Sequence, residues 1–170
     1  VGGEDEDALE GAGWRGGAGG GCVVYPIKHD RHAVPLLKDP LFVVRPPDQP
    51  LADAPFVPRE ALAEEPYIRL ESGTSSEMET LFRANDVEPN VRFTIDSDYA
   101  VMSMVSAGLG FSVLADLILR DAPFPLAVKQ PEVETSREIA IALRSLETAS
   151  TATRAFLDAT QAWIAETYEE

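Results

Sequence analysis

A few residues in this chain have side chains that could do chemistry, and the first group contains both histidines. Lys28–His32 places them three positions apart, a spacing that metal ligands can have. With one cysteine in the chain and no further histidine, a tetrahedral zinc set cannot be completed. A solvated loop between two strands is therefore the favoured interpretation, and we expect no metal and no cofactor.

Arg45 is the second candidate, because its side chain could bind an anion. It ends the apolar run Leu41–Arg45, which reads as a buried strand, and Pro46–Pro47 must stop that strand. Ligands of doubly wound sheets bind outside the C-terminal ends of the strands, where an arginine can pair with a carboxylate through two hydrogen bonds. The alternative is a surface arginine that neutralises Asp48 or Asp53.

A third candidate is the hydroxyl-rich loop before a predicted helix that runs to about Asn85. Ser72 and Thr74 lie in this loop, and the free backbone amides of a helix start can hold an anion. Thr74 and Glu77 also have the spacing of a capping box, in which their side chains satisfy those amides themselves. Capping is the favoured role for Thr74 and Glu77, whereas the role of Ser72 stays open.

Asp96 and Asp98 form an acidic pair that could be imagined as catalytic. They lie at the start of a predicted helix, where carboxylates are far more often caps that complement the helix dipole.

These residues need elements that position them, and the central element is a helix from Asp96 or Ser97 to Gly108. Its predicted buried stripe contains Tyr99, Met102, Val101, Met104, Val105 and Leu109. Gly108 suits the left-handed residue past a helix end, and a buried strand, Gly110–Leu114, follows. A strand, Asn90–Ile95, precedes the helix. This alternation is typical of a wound α/β unit.

Several further elements follow from periodicity and from breakers. They are a helix over Arg59–Ala63, a strand over Tyr67–Leu70, a helix whose buried face is Met78, Leu81 and Phe82, a strand over Arg137–Leu143, and a final helix over Ser150–Tyr168. We expect the stripe Ala152, Phe156, Ala159 and Trp163 of the final helix to be ordinary core packing.

Composition limits the function. The formal charge of −15 repels phosphate backbones, so the chain by itself is not expected to bind nucleic acid. No apolar run approaches the length needed to span a membrane, and no secretion signal is evident. A single cysteine excludes an internal disulfide, which fits a reducing cytoplasm. The 45% hydrophobic content can supply a sizeable core.

Three segments carry a resemblance to a known family. They are SAGLGFSVLAD (Ser106–Asp116), PLLKDPLFVVRPPDQPLAD (Pro35–Asp53) and VPREALAEEPYIRL (Val57–Leu70). In order and spacing they resemble the effector-binding domain of LysR-type transcriptional regulators over roughly Asp30 to Trp163. One departure is that the family's usual His-Pro-Leu-Ala reads Gln49–Ala52 here.

The resemblance implies an α/β fold of two Rossmann-like lobes, of the type 2 periplasmic-binding-protein kind, joined by a double hinge with a cleft between them. Residues 1–57 and 130–170 would form lobe I, and residues 58–129 would form lobe II. The predicted effector-lining residues are Arg45, Ser72, Thr74, Ile95, Asp96 and Phe111. The chain is similar to the family without its DNA-binding domain, and the first strand of the effector domain also looks missing.

The function implied is cytoplasmic sensing of a small, anionic effector by part of a bacterial transcription factor. The family also implies a homodimer or higher homo-oligomer, in which a helix of one lobe packs beside a strand of the partner's opposite lobe, and DNA binding only through a separate domain. One alternative is a solute-binding protein of the same fold, disfavoured by the absent signal. Another is a dehydratase-type enzyme, disfavoured because no catalytic constellation is found.

Overall fold

The computed structural model describes most of the chain. The described residues are 20–25, 32–49, 54–71, 75–143 and 145–168. Of the predicted loop Lys28–His32, only His32 is among the described residues. The chain before residue 20 also lies outside the described residues.

Eight strands and five helices are present in the described residues. In chain order they are β1 (Gly20–Tyr25), β2 (His32–Arg45), β3 (Phe56–Val57), α1 (Arg59–Glu64), β4 (Pro66–Leu70), α2 (Ser75–Ala84), β5 (Asn90–Ile95), α3 (Asp98–Ser106), β6 (Ser112–Ala115), α4 (Asp116–Leu119), β7 (Ala127–Pro131), β8 (Ser136–Leu143) and α5 (Thr151–Tyr168). The predicted strands and helices are confirmed, with bounds within a few residues, except that β2 begins at His32, nine residues before the predicted Leu41.

The chain divides into two compact units. The first comprises Val1–Lys38 and Arg137–Glu170, and the second comprises Asp39–Ser136. The division falls inside the long strand β2 and at the start of β8. The predicted lobe boundaries at 57–58 and 129–130 concern the arrangement of two lobes around a hinge, and they stay a prediction.

The first unit is built on β8, which lies between β1 and β2. β1 runs antiparallel to β8, with Val23 opposite Ala140. Helix α5 packs Leu157 against Ile141 and Leu143 of β8, so the core of this unit lies between that helix and the sheet.

The face that α5 buries differs from the predicted one. Leu157 and Ile164 are its buried residues, whereas Phe156 and Trp163 are 58% and 57% exposed. The prediction that the stripe containing Phe156 and Trp163 is core packing is therefore wrong. The two stripes are adjacent on one helix, and periodicity alone could not decide which of them contacts the sheet.

The sheet of the second unit is organised around β4. This strand pairs in parallel with β5, and its Tyr67 bridges in parallel to Phe111, which leads into β6. β2 runs antiparallel both to β6 and to β7, and β7 pairs in parallel with β3. The carboxyl ends of β4 and β5 therefore lie together, while β2 runs in the opposite direction to β6.

Two apolar clusters fill the two faces of the second unit. Helices α1 and α2 cover one face, where the predicted stripe Met78, Leu81 and Phe82 is buried as expected. Helices α3 and α4 cover the other face with Val101, Met102 and Val105, and with Ile118 and Leu119. In the predicted stripe of α3, however, Tyr99 and Leu109 are exposed, so that part of the prediction is wrong.

Two glycines shape the turn from α3 to β6. Gly108 has φ +82° just past the helix end, which confirms the predicted left-handed position. Gly110 has φ +153°, and a Cβ built on it would lie 2.3 Å from the carbonyl oxygen of Pro66. Glycine at 110 therefore lets the chain approach β4 closely enough for the Phe111 amide to donate to that same carbonyl, at 2.9 Å.

Buried polar side chains fasten the connections of the second unit. Asn85 donates to the Val133 carbonyl at 3.1 Å and accepts from the Val133 amide at 2.8 Å, which fixes the segment before β8 to the end of α2. Asp39 accepts from the Leu117 amide at 3.0 Å and so caps α4 from β2. Neither role was predicted, because each joins residues that are distant in sequence.

Candidate functional site

The carboxyl ends of β4 and β5 form one edge of the second unit, which we call the carboxyl edge. Leu70 is in register with Ile95, and the Glu71 amide donates to the Ile95 carbonyl at 2.7 Å. Helices α2 and α3 both begin shortly after these strand ends, at Ser75 and Asp98. Two helix N-termini, each with backbone N–H groups that have no partner inside the helix, therefore follow the same edge.

The start of α3 is held by its own side chains. The Ser97 hydroxyl accepts from the Ala100 amide at 3.4 Å, and an Asp98 carboxylate oxygen accepts from the Tyr99 amide at 2.8 Å. The interpretation of Asp98 as a helix-start cap is thus supported, and Ser97 is the N-cap. Asp96 is exposed beside them, which leaves its carboxylate accessible to a ligand.

Ile95 contributes mainly to the scaffold of this edge. Its side chain is partly buried against the cluster that contains Leu70 and Val101, and its carbonyl accepts the Glu71 amide. A direct side-chain contact with a ligand at the carboxyl edge is therefore less favoured for Ile95 than for Asp96.

Ser72 and Thr74, the predicted hydroxyl ligands, lie outside the described residues, and so does the side chain of Glu77. In the chain Ser72 and Thr74 fall between the end of β4 and the start of α2. Their assignment as effector-lining residues, and the predicted capping box, stay predictions.

Arg45 has a partner that neither predicted role included. Its side chain is 2% exposed, and its two terminal nitrogens lie 2.8 and 2.9 Å from the two carboxylate oxygens of Glu65. The alternative of a surface arginine beside Asp48 or Asp53 is wrong, because this guanidinium is buried. One hydrogen bond, from Nη2 to Oε1, and the ion-pair contact between Nη1 and Oε2 join the end of β2 to the segment between α1 and β4.

Strand direction separates Arg45 from the carboxyl edge. Val44 is opposite Ser112 in the antiparallel pair of β2 and β6, so Arg45 lies at the start of β6. That start adjoins Tyr67, near the amino end of β4. β4 is five residues long, so its two ends are about 13 Å apart. The end of β2 is therefore at the amino ends of the parallel strands, which we call the amino edge. The prediction had placed it at their carboxyl ends.

Phe111 lies at this amino edge as well, in the core. It is 1% exposed, and its ring centroid is 5.2 Å from that of Tyr67 and 6.4 Å from that of Phe82. Burial raises the pKa of the Tyr67 hydroxyl well above its usual range, with a smaller raising effect from Glu79 and an opposing one from Arg69. The rings of Tyr67, Phe82 and Phe111 therefore form a neutral, buried aromatic cluster at this edge.

Tyr99 is a surface feature of the carboxyl edge that sequence reasoning missed. It is 58% exposed in the first turn of α3, and its ring meets Phe124 edge-on at a centroid distance of 4.8 Å. Its helical spacing with Met102 had suggested burial. Two features of the sequence could have indicated exposure. Tyr99 lies in the first turn of the helix, and its ring carries a polar hydroxyl.

The described residues contain no group of three or more histidine, cysteine, aspartate or glutamate side chains that could hold a metal ion. None of the helices in the described part of the chain is both long and apolar enough to cross a bilayer. The described side chains at the carboxyl edge include the exposed carboxylates of Glu71 and Asp96 and the exposed ring of Tyr99.

Comparison with known proteins assigns the chain to a family. The model of the LysR substrate binding domain matches residues 21–165. The HTH-type transcriptional regulator YvbU of Bacillus subtilis is 27% identical over 81% of this chain and 48% of its own length. The activator CmpR of a Synechocystis strain is 36% identical over 57% of this chain and 33% of its own. The chain thus spans about half or less of these relatives' length.

Solved structures agree with that assignment. The CcmR regulatory domain of Synechocystis PCC6803, in complex with 2-PG, has a TM-score of 0.81 at 26% identity and covers 94% of this chain and 80% of that one. The effector binding domain of QuiR, in complex with shikimate, has a TM-score of 0.78 at 21% identity over 95% of this chain and 78% of that one. The latter similarity concerns the fold alone.

The chain therefore belongs to the LysR substrate binding domain family. Its fold is the α/β, two-lobe type 2 periplasmic-binding-protein kind, as predicted. Membership favours a ligand-sensing regulatory domain over the solute-binding alternative, because the matched relatives are transcriptional regulators. The same relatives point away from an enzyme.

Proposed function

We propose that this chain is the effector-sensing part of a LysR-type transcription regulator and binds a small hydroxy acid at the carboxyl edge. The observation that carries the proposal is the arrangement of that edge, where β4 and β5 end in register and two helices begin. Solved domains of the family hold small molecules, as their complexes with 2-PG and shikimate illustrate.

The two helix starts differ in chemistry, and this difference suggests the effector class. The chain around the start of α2 carries the hydroxyls of Ser72 and Thr74, and it has no carboxylate between Glu71 and Glu77, so these five residues suit an anionic group. The start of α3 carries Asp96 and Asp98, which repel an anion but accept hydrogen bonds from hydroxyls. A carboxylate at one end and hydroxyls at the other would satisfy both.

We leave Arg45 and Phe111 out of the proposed site. The guanidinium of Arg45 is buried and already pairs with the Glu65 carboxylate, and Phe111 belongs to the core at the other end of β4. Ser72, Thr74 and Asp96 are the proposed effector ligands, with Ile95 as part of their scaffold.

In this proposal the effector acts by binding one arrangement of the regulator more tightly than another, since a ligand shifts an equilibrium only through such a difference. The regulator would be cytoplasmic, homodimeric or of higher order, and would contact DNA through a separate domain. It would not turn over its effector, and the chain itself would not bind DNA, given its charge of −15.

The test is a thermal-shift screen of small carboxylic acids that differ in their number of hydroxyl groups. A ligand at a hundred times its dissociation constant should raise the melting temperature by about 5 °C or more. Asp96→Asn should weaken a hydroxy acid about tenfold, because a neutral amide oxygen is a poorer acceptor than a carboxylate. The same compound should be recovered unchanged.

Asp48→Asn is the matched control, since Asp48 is also an exposed aspartate of the second unit but follows the amino-edge end of β2. This variant should bind like the unaltered chain. If hydroxylated and plain acids shift the melting temperature equally and Asp96→Asn has no effect, the proposed effector class is wrong. Chemical conversion of the compound would instead contradict a purely sensory role.

A further inference from the structure

The residues between β7 and β8, Glu132–Thr135, form what we call the return segment. They belong to the second unit, and β8 then carries the chain from Ser136 into the first unit. The side chains of Glu132, Val133 and Glu134 are all exposed. Because so little of the return segment is buried, its position depends on its hydrogen bonds and on the two strands that flank it.

The carboxamide of Asn85 supplies the central attachment of the return segment. Its Nδ2 donates to the Val133 carbonyl at 3.1 Å, and its Oδ1 accepts from the Val133 amide at 2.8 Å. These two bonds are the ones that a neighbouring antiparallel strand would make to a single residue. Asn85 is 4% exposed, so water competes poorly for either bond. Further along, the Thr135 carbonyl accepts from the Leu41 amide at 2.9 Å.

The same carboxamide is bound to the last turn of α2. Its Nδ2 also donates to the Leu81 carbonyl at 2.8 Å, and the backbone amide of Asn85 donates to that carbonyl at 3.1 Å. Asp86 follows in a left-handed conformation, with φ +54°, which ends the helix. The carboxamide is therefore oriented toward Val133 by the last turn of α2, and it loses that orientation when the turn unwinds.

Helix α2 joins this attachment to the carboxyl edge. It runs for ten residues from Ser75, which is about 15 Å, and it begins shortly after the end of β4. Met78, Leu81 and Phe82 hold it against the core along its length. Because a helix forms cooperatively, a group that stabilises its first turn also favours its last turn.

We propose that Asn85 is a latch that couples the start of α2 to the return segment. The latch is closed when both bonds to Val133 are made, and it is open when they are broken. A group that stabilises the first turn of α2 favours the closed latch, and by reciprocity the closed latch favours binding at that turn. Where that group is an effector, the inference rests on the proposed function, whereas the latch itself can be tested without a ligand.

The exchange rate of the Val133 amide hydrogen, measured by NMR in the native state, reports how often the latch opens. A negative charge in the first turn of a helix stabilises the helix, and a positive charge destabilises it. The Val133 amide should therefore exchange about threefold more slowly in Ser76→Glu than in Ser76→Lys. Equal rates in these two variants would overturn the proposal. A residue that only fastened the return segment would give such equal rates.

The matched control is the same change of charge at Tyr99, which is exposed in the first turn of α3. The Val133 amide should exchange equally fast in Tyr99→Glu and Tyr99→Lys, because α3 leads to β6 and not to the latch. A difference as large as that between the Ser76 variants would also overturn the proposal. The exchange at Val133 would then report the stability of the whole unit.

Asn85→Ala removes both bonds to Val133 and should speed the exchange of the Val133 amide at least tenfold. In this background the two Ser76 variants should no longer differ at Val133. A threefold difference that persists without the carboxamide would contradict the role of Asn85. The Ser76 variants of the unaltered chain test the latch even if Asn85→Ala does not fold.

The hydroxy acids of the thermal-shift screen separate the latch from the proposed function. An acid that raises the melting temperature should also slow the exchange of the Val133 amide, and it should not do so in Asn85→Ala. A raised melting temperature without slower exchange at Val133 would contradict the coupling and leave the proposed binding in place. If no acid raises the melting temperature, the proposed function fails, and the Ser76 variants still decide whether the latch exists.

Discussion

The two ends of β4 differ in the exposure of the side chains around them. At the amino edge Arg45 is paired with Glu65 and buried, and Phe111 is stacked near Tyr67. Both side chains are buried, with Arg45 2% and Phe111 1% exposed, so neither is accessible to a ligand as it stands. The Arg45–Glu65 pair of the amino edge connects the end of β2 to the segment before β4.

The carboxyl edge has the opposite character. Asp96 and Tyr99 are exposed there, and α2 and α3 both begin there. A parallel strand pair brings chain reversals and helix starts to its carboxyl end by geometry alone, whatever the side chains are. If an effector binds at the carboxyl edge as proposed, changes at the amino edge should leave its binding unaltered, and the following predictions test that separation.

The largest expected effect comes from breaking the close approach at the amino edge. Gly110→Ala would place a Cβ 2.3 Å from the Pro66 carbonyl oxygen, in a backbone conformation that favours glycine. We expect a loss of about 3 kcal/mol or more in the free energy of unfolding, measured by urea denaturation. Gly108→Ala is the control, because its Cβ would meet open space, and it should cost about 1 kcal/mol. Equal losses would contradict the account of Gly110.

The next effect in size concerns the ion pair. Arg45→Met leaves the Glu65 carboxylate, which is 32% exposed, without this partner and should lower the free energy of unfolding by about 2 kcal/mol. Adding Glu65→Met should recover much of this loss, because it removes the unpaired charge. Arg120→Met breaks the exposed pair with Asp116 and should cost about 0.5 kcal/mol or less.

The next prediction concerns the affinity for an effector when the amino edge is altered. The Arg45→Met, Glu65→Met double variant should bind a hydroxy acid as the unaltered chain does, in calorimetric titrations at a temperature where both are folded. A tenfold loss of affinity in this variant would return Arg45 to the effector site.

How much of this was predictable from the sequence depends on the range of the interactions involved. The bounds of β5 and the apolar face of α2 follow from local periodicity, and both were predicted. The direction of β2 relative to β6 was not predictable, because an apolar run such as Leu41–Arg45 reads alike in parallel and antiparallel sheets. Because of that ambiguity, Arg45 was predicted at the carboxyl ends of the parallel strands, whereas it lies at their amino ends.

Two other errors have related causes. Phe156 and Leu157 lie on adjacent stripes of α5, so either could have faced the sheet on periodicity alone. Asn85 reads locally as a turn residue, yet its amide group binds the backbone of Val133, which is 48 residues away. Contacts between residues so distant in sequence leave no local pattern to read.

A further stability effect is a dependence on alkaline pH. Because burial raises the pKa of Tyr67, the unfolded chain ionises this hydroxyl above about pH 10 while the folded chain keeps it protonated. The unfolded state then binds fewer protons, so stability falls as pH rises, by up to about 1.4 kcal/mol per pH unit. Urea denaturation between about pH 9 and 11 should show a steeper loss for the unaltered chain than for Tyr67→Phe. Parallel slopes would contradict the buried, neutral tyrosine.

The central claim is that an effector binds at the carboxyl edge and not at the amino edge. Hydrogen–deuterium exchange with and without a hydroxy acid that raises the melting temperature tests it most directly. We predict slower exchange in peptides covering residues 71–78 and 95–101, and no change in those covering residues 43–47 and 64–67. Protection confined to the latter peptides would contradict the account.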